Sequence, residues 1–344
     1  MRFQDRYFRE KQYFCSQKAT IMVPNMRIVY MGTPDFAVPA LDRLVSCGYN
    51  VVGVITMPDK AVGRHHDVLQ ASPVKQYAVA HGIPVLQPER LKDETFLSEL
   101  RSLQADLQVV VAFRMLPQEV WDMPRLGTFN LHAALLPQYR GAAPINWAVI
   151  NGEKETGLTT FFLDHEIDTG RIILQERVPI SDADTAGDVH DRLMILGADL
   201  VQQTVDLIAE GMAKATPQEQ FLTGEQLKPA PKIFRETCQI HWSELTPKRA
   251  YDFIRGLSPY PAAWTELQMP GGERIQVKIF RSAWHTGEQS MATGSLQTDG
   301  RSRLTVFMPG GSLDILELQV AGKKRMPVAD FLRGTRPENG IFLG

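Results

Sequence analysis

Two polar residues stand two apart in Thr128-Phe-Asn-Leu-His132, and a carboxylate follows in Leu163-Asp-His-Glu-Ile-Asp-Thr-Gly170. On an extended strand, residues i and i+2 share a face, so Asn130 and His132 project together. Asn offers a neutral amide donor, and His donates a hydrogen bond or exchanges a proton near neutral pH. The pair is suited to cradle an oxygen that turns negative when an amine attacks a carbonyl carbon. Removing one such donor typically costs about 3–4 kcal/mol of transition-state stabilisation. Asp168 precedes Thr169-Gly170 in a polar loop, from which its carboxylate could orient His132 and manage a proton. Taken singly, a strand histidine is usually a buried structural residue and an Asp before Thr-Gly a turn former. The joint pattern shifts the balance toward chemistry.

Such groups need elements to place them. From Met26 on, short β-branched runs alternate with amphipathic segments of helical length, the texture of a parallel sheet with crossover helices. Strands are expected at Arg27–Met31, Val51–Thr56, Asp106–Phe113 and Thr128–His132. Helices are expected at Phe36–Ser46, Ser72–Ala80 and Thr95–Leu103, with Gly48 and Gly82 at helix ends. The expected fold is α/β, a Rossmann-like, doubly wound and mostly parallel sheet, which puts Asn130 and His132 at the carboxyl edge where open α/β sheets hold ligands. Leu158–Asp164 and Arg171–Val178 read as two more strands around a polar connection, and Ala186–Met212 as a long closing helix. The loop Met31-Gly-Thr-Pro-Asp35 lacks the G-x-G-x-x-G of a dinucleotide site, so a nicotinamide or flavin cofactor is disfavoured, and Gly32 serves a tight turn.

Residues 213–231 are proline-rich, polar and aperiodic, the signature of a linker. Beyond them a short helix is expected at Pro247–Leu257, then strands at Trp264–Gln268, Arg274–Phe280, Gly294–Gln297, Leu304–Phe307 and Ser312–Val320, which suggests a small OB-like β-barrel. The expected division is an N-terminal extension over residues 1–25, a catalytic domain over 26–212, a linker over 213–231 and the barrel over 232–344. A length of 344 residues fits two domains. The formal charge of −2 conceals an asymmetry: residues 232–344 carry 15 Lys/Arg against 11 Asp/Glu, a local +4 that weakly suggests a polyanionic partner. No apolar run is long enough for a membrane span, so membrane insertion is not expected. The extension lacks the apolar stretch of a secretory signal. Cys15, Cys47 and Cys238 show no CxxC spacing, so neither a disulfide framework nor a zinc site is expected, in keeping with a reducing cytoplasm.

The run FNLHAALLPQYRGAAPINWAV, followed by LDHEIDTG, resembles the folate-dependent formyltransferase family. MGTPDFA, PDKAVGR, SPVK, VVVAFRMLP, LSPYPAAW and AGKKRMP are similar to the branch of that family acting on an aminoacyl-tRNA. The resemblance implies transfer of a formyl group from 10-formyltetrahydrofolate to the amine of methionyl-initiator-tRNA, with no metal. It implies that Asn130, His132 and Asp168 form the catalytic trio. It further implies that Ala134, Leu135, Leu136 and Pro137 contact the tetrahydrofolate and that Phe113, Met115 and Leu116 line the pterin pocket. The family commonly shows Gly-Ser where this chain has Ala133-Ala134, so contacts there must come from backbone, and Gly where this chain has Glu166.

For tRNA, the loop Met57–Ala71 matches a family insertion near the acceptor end, with Arg64 as the fork donor for phosphate or base edges and Lys60 as its helper. His65, His66 and Asp67 read as a solvated face rather than a metal site. In the second domain Lys248, Arg249, Arg255, Lys278, Arg281, Lys323, Lys324 and Arg325 are expected on a basic surface tracking the tRNA backbone, against the alternative of scattered solvated charges. A monomer in a bacterial cytoplasm is expected. Relatives acting on glycinamide ribonucleotide or an amino sugar nucleotide share the trio, and a non-catalytic RNA-binding module would need it to be accidental.

Overall fold

The computed structural model describes residues 25–62, 68–288, 291–338 and 340–344. Among the described residues, nine strands precede residue 180: β1 (Arg27–Gly32), β2 (Asn50–Ile55), β3 (Lys60–Val62), β4 (Val68–Gln70), β5 (Val85–Leu86), β6 (Leu107–Val111), β7 (Thr128–His132), β8 (Glu155–Phe162) and β9 (Ile172–Pro179). Seven of them make one sheet in the order β5-β2-β1-β6-β7-β8-β9, while β3 and β4 pair separately. Neighbours from β5 to β7 are parallel, and β8 returns antiparallel to β7. This is the expected doubly wound, mostly parallel architecture.

The chain's own chemistry explains the pattern. β6 reads Leu-Gln-Val-Val-Val with all five residues buried, as befits a strand covered on both faces. Val29 and Met31 of β1 pack with Phe96, Leu97 and Leu100 from the helix Glu94–Ser102. Tyr30, which projects from the opposite face of β1, donates its hydroxyl to the Ala37 carbonyl just before the helix Val38–Ser46. Asp93 caps the first helix by accepting from the amides of Thr95 and Phe96, and Ser72 caps Pro73–Ala80 by accepting from Lys75. Ser72 is therefore a cap rather than a helical residue. β6 stops at Val111, two residues before its expected end, because Ala112 takes φ +48° and turns the chain out of the sheet. The two-residue β5 and the β3–β4 hairpin are too short to have shown a periodicity.

Seven further strands follow: β10 (Ala263–Gln268), β11 (Arg274–Thr286), β12 (Leu296–Thr298), β13 (Leu304–Met308), β14 (Gly311–Val320), β15 (Met326–Pro327) and β16 (Ile341–Leu343). They run β12-β13-β14-β11-β10-β16, with β15 on β14. These strands pair antiparallel. Ser295, beside β12, bridges to Ile341 of β16, and Phe342 donates to the Gly294 carbonyl at 2.8 Å, so the sheet nearly closes on itself. This is the OB-like barrel, with β15 and the closing strand β16 added to the five expected strands. Its core holds Trp242, fully buried and stacked on Phe342, with the indole N–H donating to Thr265 Oγ1.

By contact the chain divides into two compact units. One holds residues up to His132 with 158–176 and 193–224; the other holds 133–157, 177–192 and 225–344. Arg255 corrects one expectation: it is 3% exposed, its Nε on Asp252 and its Nη1 on the carbonyls of Ser181 and Asp184. A helix face that looked basic in sequence turns this residue inward, where it closes a buried ion pair. Cys238 is a buried free thiol. No helix among the described residues is long and apolar enough to cross a membrane.

Candidate active site

β7 lies between β6 and β8, with Asn130 beside Val110 on one side and Phe161 on the other. Phe129 and Leu131 are buried on one face of the strand, which leaves Asn130 and His132 sharing the other. Asn130 is half-buried and His132 is 6% exposed. Thr159 pairs with His132 across the ladder and accepts a hydrogen bond from Gln175 Nε2 at 3.0 Å, which stiffens the strand end.

Asp168 arrives from the loop joining β8 to β9. Its Oδ2 stands 3.8 Å from His132 Nδ1, and its side chain is 14% exposed. The imidazole and the carboxylate thus approach each other at the carboxyl end of β7, and Asn130 shares the strand face with His132. Several contacts hold the loop. Leu163 packs against the apolar core, and His165 sets its ring edge-on to Trp121 at 5.4 Å. Asp168 itself takes φ +56°, a left-handed conformation that Asp tolerates better than most residues.

Gln218, 2% exposed, secures that conformation by donating Nε2 to the carbonyls of Asp168 at 2.8 Å and Gly170 at 2.9 Å. Sequence reasoning missed it, because Gln218 lies in the stretch expected as linker and no local pattern ties it to residues fifty positions earlier. The same stretch pairs with β9, where Ile172 and Thr216 exchange two backbone hydrogen bonds of 2.8 Å.

Gly170 has a steric role. A Cβ built there would lie 1.7 Å from the Phe162 carbonyl oxygen, so no side chain fits without moving backbone. Gly170→Ala is accordingly expected to destabilise the fold by roughly 1–3 kcal/mol through overpacking. It should also slow turnover by displacing Asp168. Thermal melting together with a formyl-transfer assay checks both effects; an unshifted melt with full activity would contradict the steric reading.

Directly after β7, Ala134, Leu136 and Pro137 are buried and Leu135 half-buried, with a cis bond between Leu136 and Pro137. The following turn is strapped by residues 226–231. Tyr139 donates its amide to the Lys228 carbonyl at 2.7 Å, Lys228 its amide to Gln138 Oε1 at 2.8 Å, and Ala230 its amide to the Arg140 carbonyl at 2.8 Å. Gly141, at φ +126°, lies so close to Ala230 that a Cβ would meet its carbonyl oxygen at 2.4 Å. Glu153 closes the arrangement by accepting from both Tyr139 Oη and Lys228 Nζ at 2.5 Å. Burial first, then the Glu153 carboxylate, raises the Tyr139 hydroxyl pKa above its usual value. Residues 213–231, with three prolines and little periodicity, gave no sign of this pairing.

Of the residues expected around the pterin, Leu116 lies in the apolar core, Phe113 packs against it, and Met115 is 75% exposed. Among those expected to meet tRNA, Lys60 is exposed at the start of β3, and Arg64, with His65, His66 and Asp67, lies outside the described residues. Lys248 Nζ contacts both oxygens of Asp252, and Arg249 donates to the Ile150 carbonyl at 3.2 Å. Lys323 and Lys324 are exposed in the turn after β14, and Arg325 grips Glu317 with two hydrogen bonds of 2.6 Å.

The formyl transferase family matches residues 26–205, and the formyl transferase C-terminal domain family matches residues 232–336. Methionyl-tRNA formyltransferase of Parabacteroides distasonis is 62% identical over 311 residues, covering 90% of this chain and 96% of that protein. The protein of the same name from Phocaeicola vulgatus is 64% identical over 313 residues, covering 91% and 96%. Among solved structures, HypX from Aquifex aeolicus in complex with tetrahydrofolic acid superposes with a TM-score of 0.59 at 18% identity, over 90% of this chain and 47% of that one. WlaRD, a sugar 3N-formyl transferase, gives 0.58 at 18% identity over 88% and 100%; these two likenesses concern the fold. Since both domain families match in order and the relatives align over nearly their whole length, the chain belongs to the formyl transferase family, in its methionyl-tRNA formyltransferase group.

Proposed function

We propose that this protein transfers the formyl group of 10-formyltetrahydrofolate to the amino group of methionyl-initiator-tRNA, giving N-formylmethionyl-tRNA for translation initiation. The observation that carries the reading is the approach of the Asp168 carboxylate to His132 Nδ1 at 3.8 Å, at the end of the strand face that Asn130 shares with His132.

The free amine of the aminoacyl ester attacks the formyl carbon on N10, and the carbonyl oxygen becomes an oxyanion in a tetrahedral intermediate. The Asn130 amide and the His132 imidazole donate to that oxyanion. Asp168 orients His132 and, directly or through one water, accepts the proton the amine loses. Collapse breaks the carbon–N10 bond, a proton is delivered to N10, and tetrahydrofolate leaves. No covalent enzyme intermediate and no metal enter the scheme.

Ala134, Leu135, Leu136 and Pro137 are assigned to the tetrahydrofolate, through backbone groups since Ala134 has no hydroxyl, and Phe113, Met115 and Leu116 to the pterin pocket. Lys60, Arg64, Lys248, Arg249, Lys323 and Lys324 are assigned to tRNA. The division of roles follows the domain arrangement of the reading: catalysis in 26–212, a joining segment in 213–231 and tRNA contact in 232–344, after an extension of 1–25. The reading takes the protein as a monomer, and a substrate made for cytoplasmic translation supports a place in the bacterial cytoplasm.

Incubation with 10-formyltetrahydrofolate tests the assignment. Formylation is expected with methionyl-initiator-tRNA and not with uncharged tRNA or glycinamide ribonucleotide; formylation of the ribonucleotide in place of the charged tRNA would overturn it.

A further inference from the structure

Arg114 stands just past the end of β6, and its guanidinium reaches the loop after β5. Nη1 donates to the Glu89 carbonyl at 2.8 Å and Nη2 to the Pro88 carbonyl at 2.5 Å. In the sheet, β2 and β1 lie between β5 and β6, and all four are parallel, so this fork joins two carboxyl-end loops across the ends of two intervening strands. The strand order reverses at β1: β2 and β5 extend to one side, β6 and β7 to the other. Open parallel sheets hold ligands beyond the carboxyl ends at such a reversal.

A second observation points to a ligand. Arg114 Nε is buried and has no hydrogen-bond partner among the described residues. A buried donor left without an acceptor costs desolvation energy that a bound molecule could return. The guanidinium also lies 5.8 Å from the centre of the Phe113 ring, so its plane and the apolar segment beside it are held together.

The geometry points to Arg114 as a positioning residue for the folate co-substrate: Nη1 and Nη2 lock the loop at Pro88–Glu89 to the segment Phe113–Leu116, and Nε–H is kept for an oxygen or nitrogen acceptor on the pteridine ring. This rests on the reading that Phe113, Met115 and Leu116 line the pterin pocket. A lysine would not substitute, since an ammonium is a point charge on a flexible stem and lacks the planar fork needed to bridge two carbonyls and offer a third donor.

The test is steady-state kinetics of full-length Arg114→Ala and Arg114→Lys, varying one substrate at saturation of the other, with direct titration of tetrahydrofolate. Both variants are expected to raise the KM for 10-formyltetrahydrofolate and the Kd for tetrahydrofolate by roughly tenfold to a hundredfold, the loss of charge-assisted hydrogen bonds. The KM for the tRNA should stay within about twofold and kcat should fall far less than the folate KM rises. Equal losses on both substrates together with a lowered melting temperature would overturn the assignment in favour of a purely structural clip. The exposed Met115 gives the separating control. If Met115→Ala raises the folate KM while Arg114→Ala does not, the Arg114 assignment fails and the pocket reading stands; if neither does, both fail.

Discussion

His132→Ala is expected to lower the single-turnover rate of formyl transfer by about 100- to 10,000-fold, the usual contribution of a positioned proton-transfer group. The binding of tetrahydrofolate should change little, because His132 is assigned to the oxyanion and the proton rather than to the folate. The size follows from placement. His132 ends β7 with 6% of its surface exposed, its ladder partner Thr159 is held by Gln175, and Asp168 stands 3.8 Å from Nδ1. Asp168→Asn keeps the shape and removes the charge, so a comparable loss is expected without loss of the fold. Gln218 anchors the loop through the backbone carbonyls of Asp168 and Gly170, and these remain in the variant. A single-turnover assay with pre-bound 10-formyltetrahydrofolate isolates the step, and wild-type rates in either variant would remove His132 and Asp168 from the chemistry.

Asn130→Ala is expected to cost about 3–4 kcal/mol of transition-state stabilisation, roughly a 100- to 1,000-fold drop in kcat. Asn130 shares the β7 face with His132 and is only half-buried, so truncation opens little space in the core. The loss should therefore fall on kcat with the melting temperature and the substrate KM values nearly unchanged, since the contact forms with the oxyanion and not with the planar formyl group. A rise in KM with unchanged kcat would instead make Asn130 a ground-state binding residue.

Much of this was readable in the residues themselves. β7 falls on Thr128–His132 as expected because alternation with period two is a local property, and the same period puts Asn130 and His132 on one face. The parallel strands β1, β2 and β6 declared themselves through buried β-branched runs. What was not readable is what depends on contacts between distant positions. Gln218 reaches Asp168 fifty residues back, Lys228 straps Tyr139, and Arg114 grips Pro88 and Glu89, each through backbone carbonyls that carry no residue identity. The strand β16 closes the barrel with three residues, too few for a pattern. Arg255 looked like part of a basic surface, yet Asp252, three positions earlier on the same helix, turns it into a buried pair.

The central claim is that His132 and Asp168 act as one unit on the reacting carbonyl, and a double-mutant cycle measures it directly. In single-turnover assays, His132→Ala/Asp168→Asn is predicted to be no slower than the slower single variant, because the carboxylate takes up the amine's proton only while the imidazole it orients holds the reacting carbonyl in place. Losses that multiply in the double variant would show two independent groups and contradict the account.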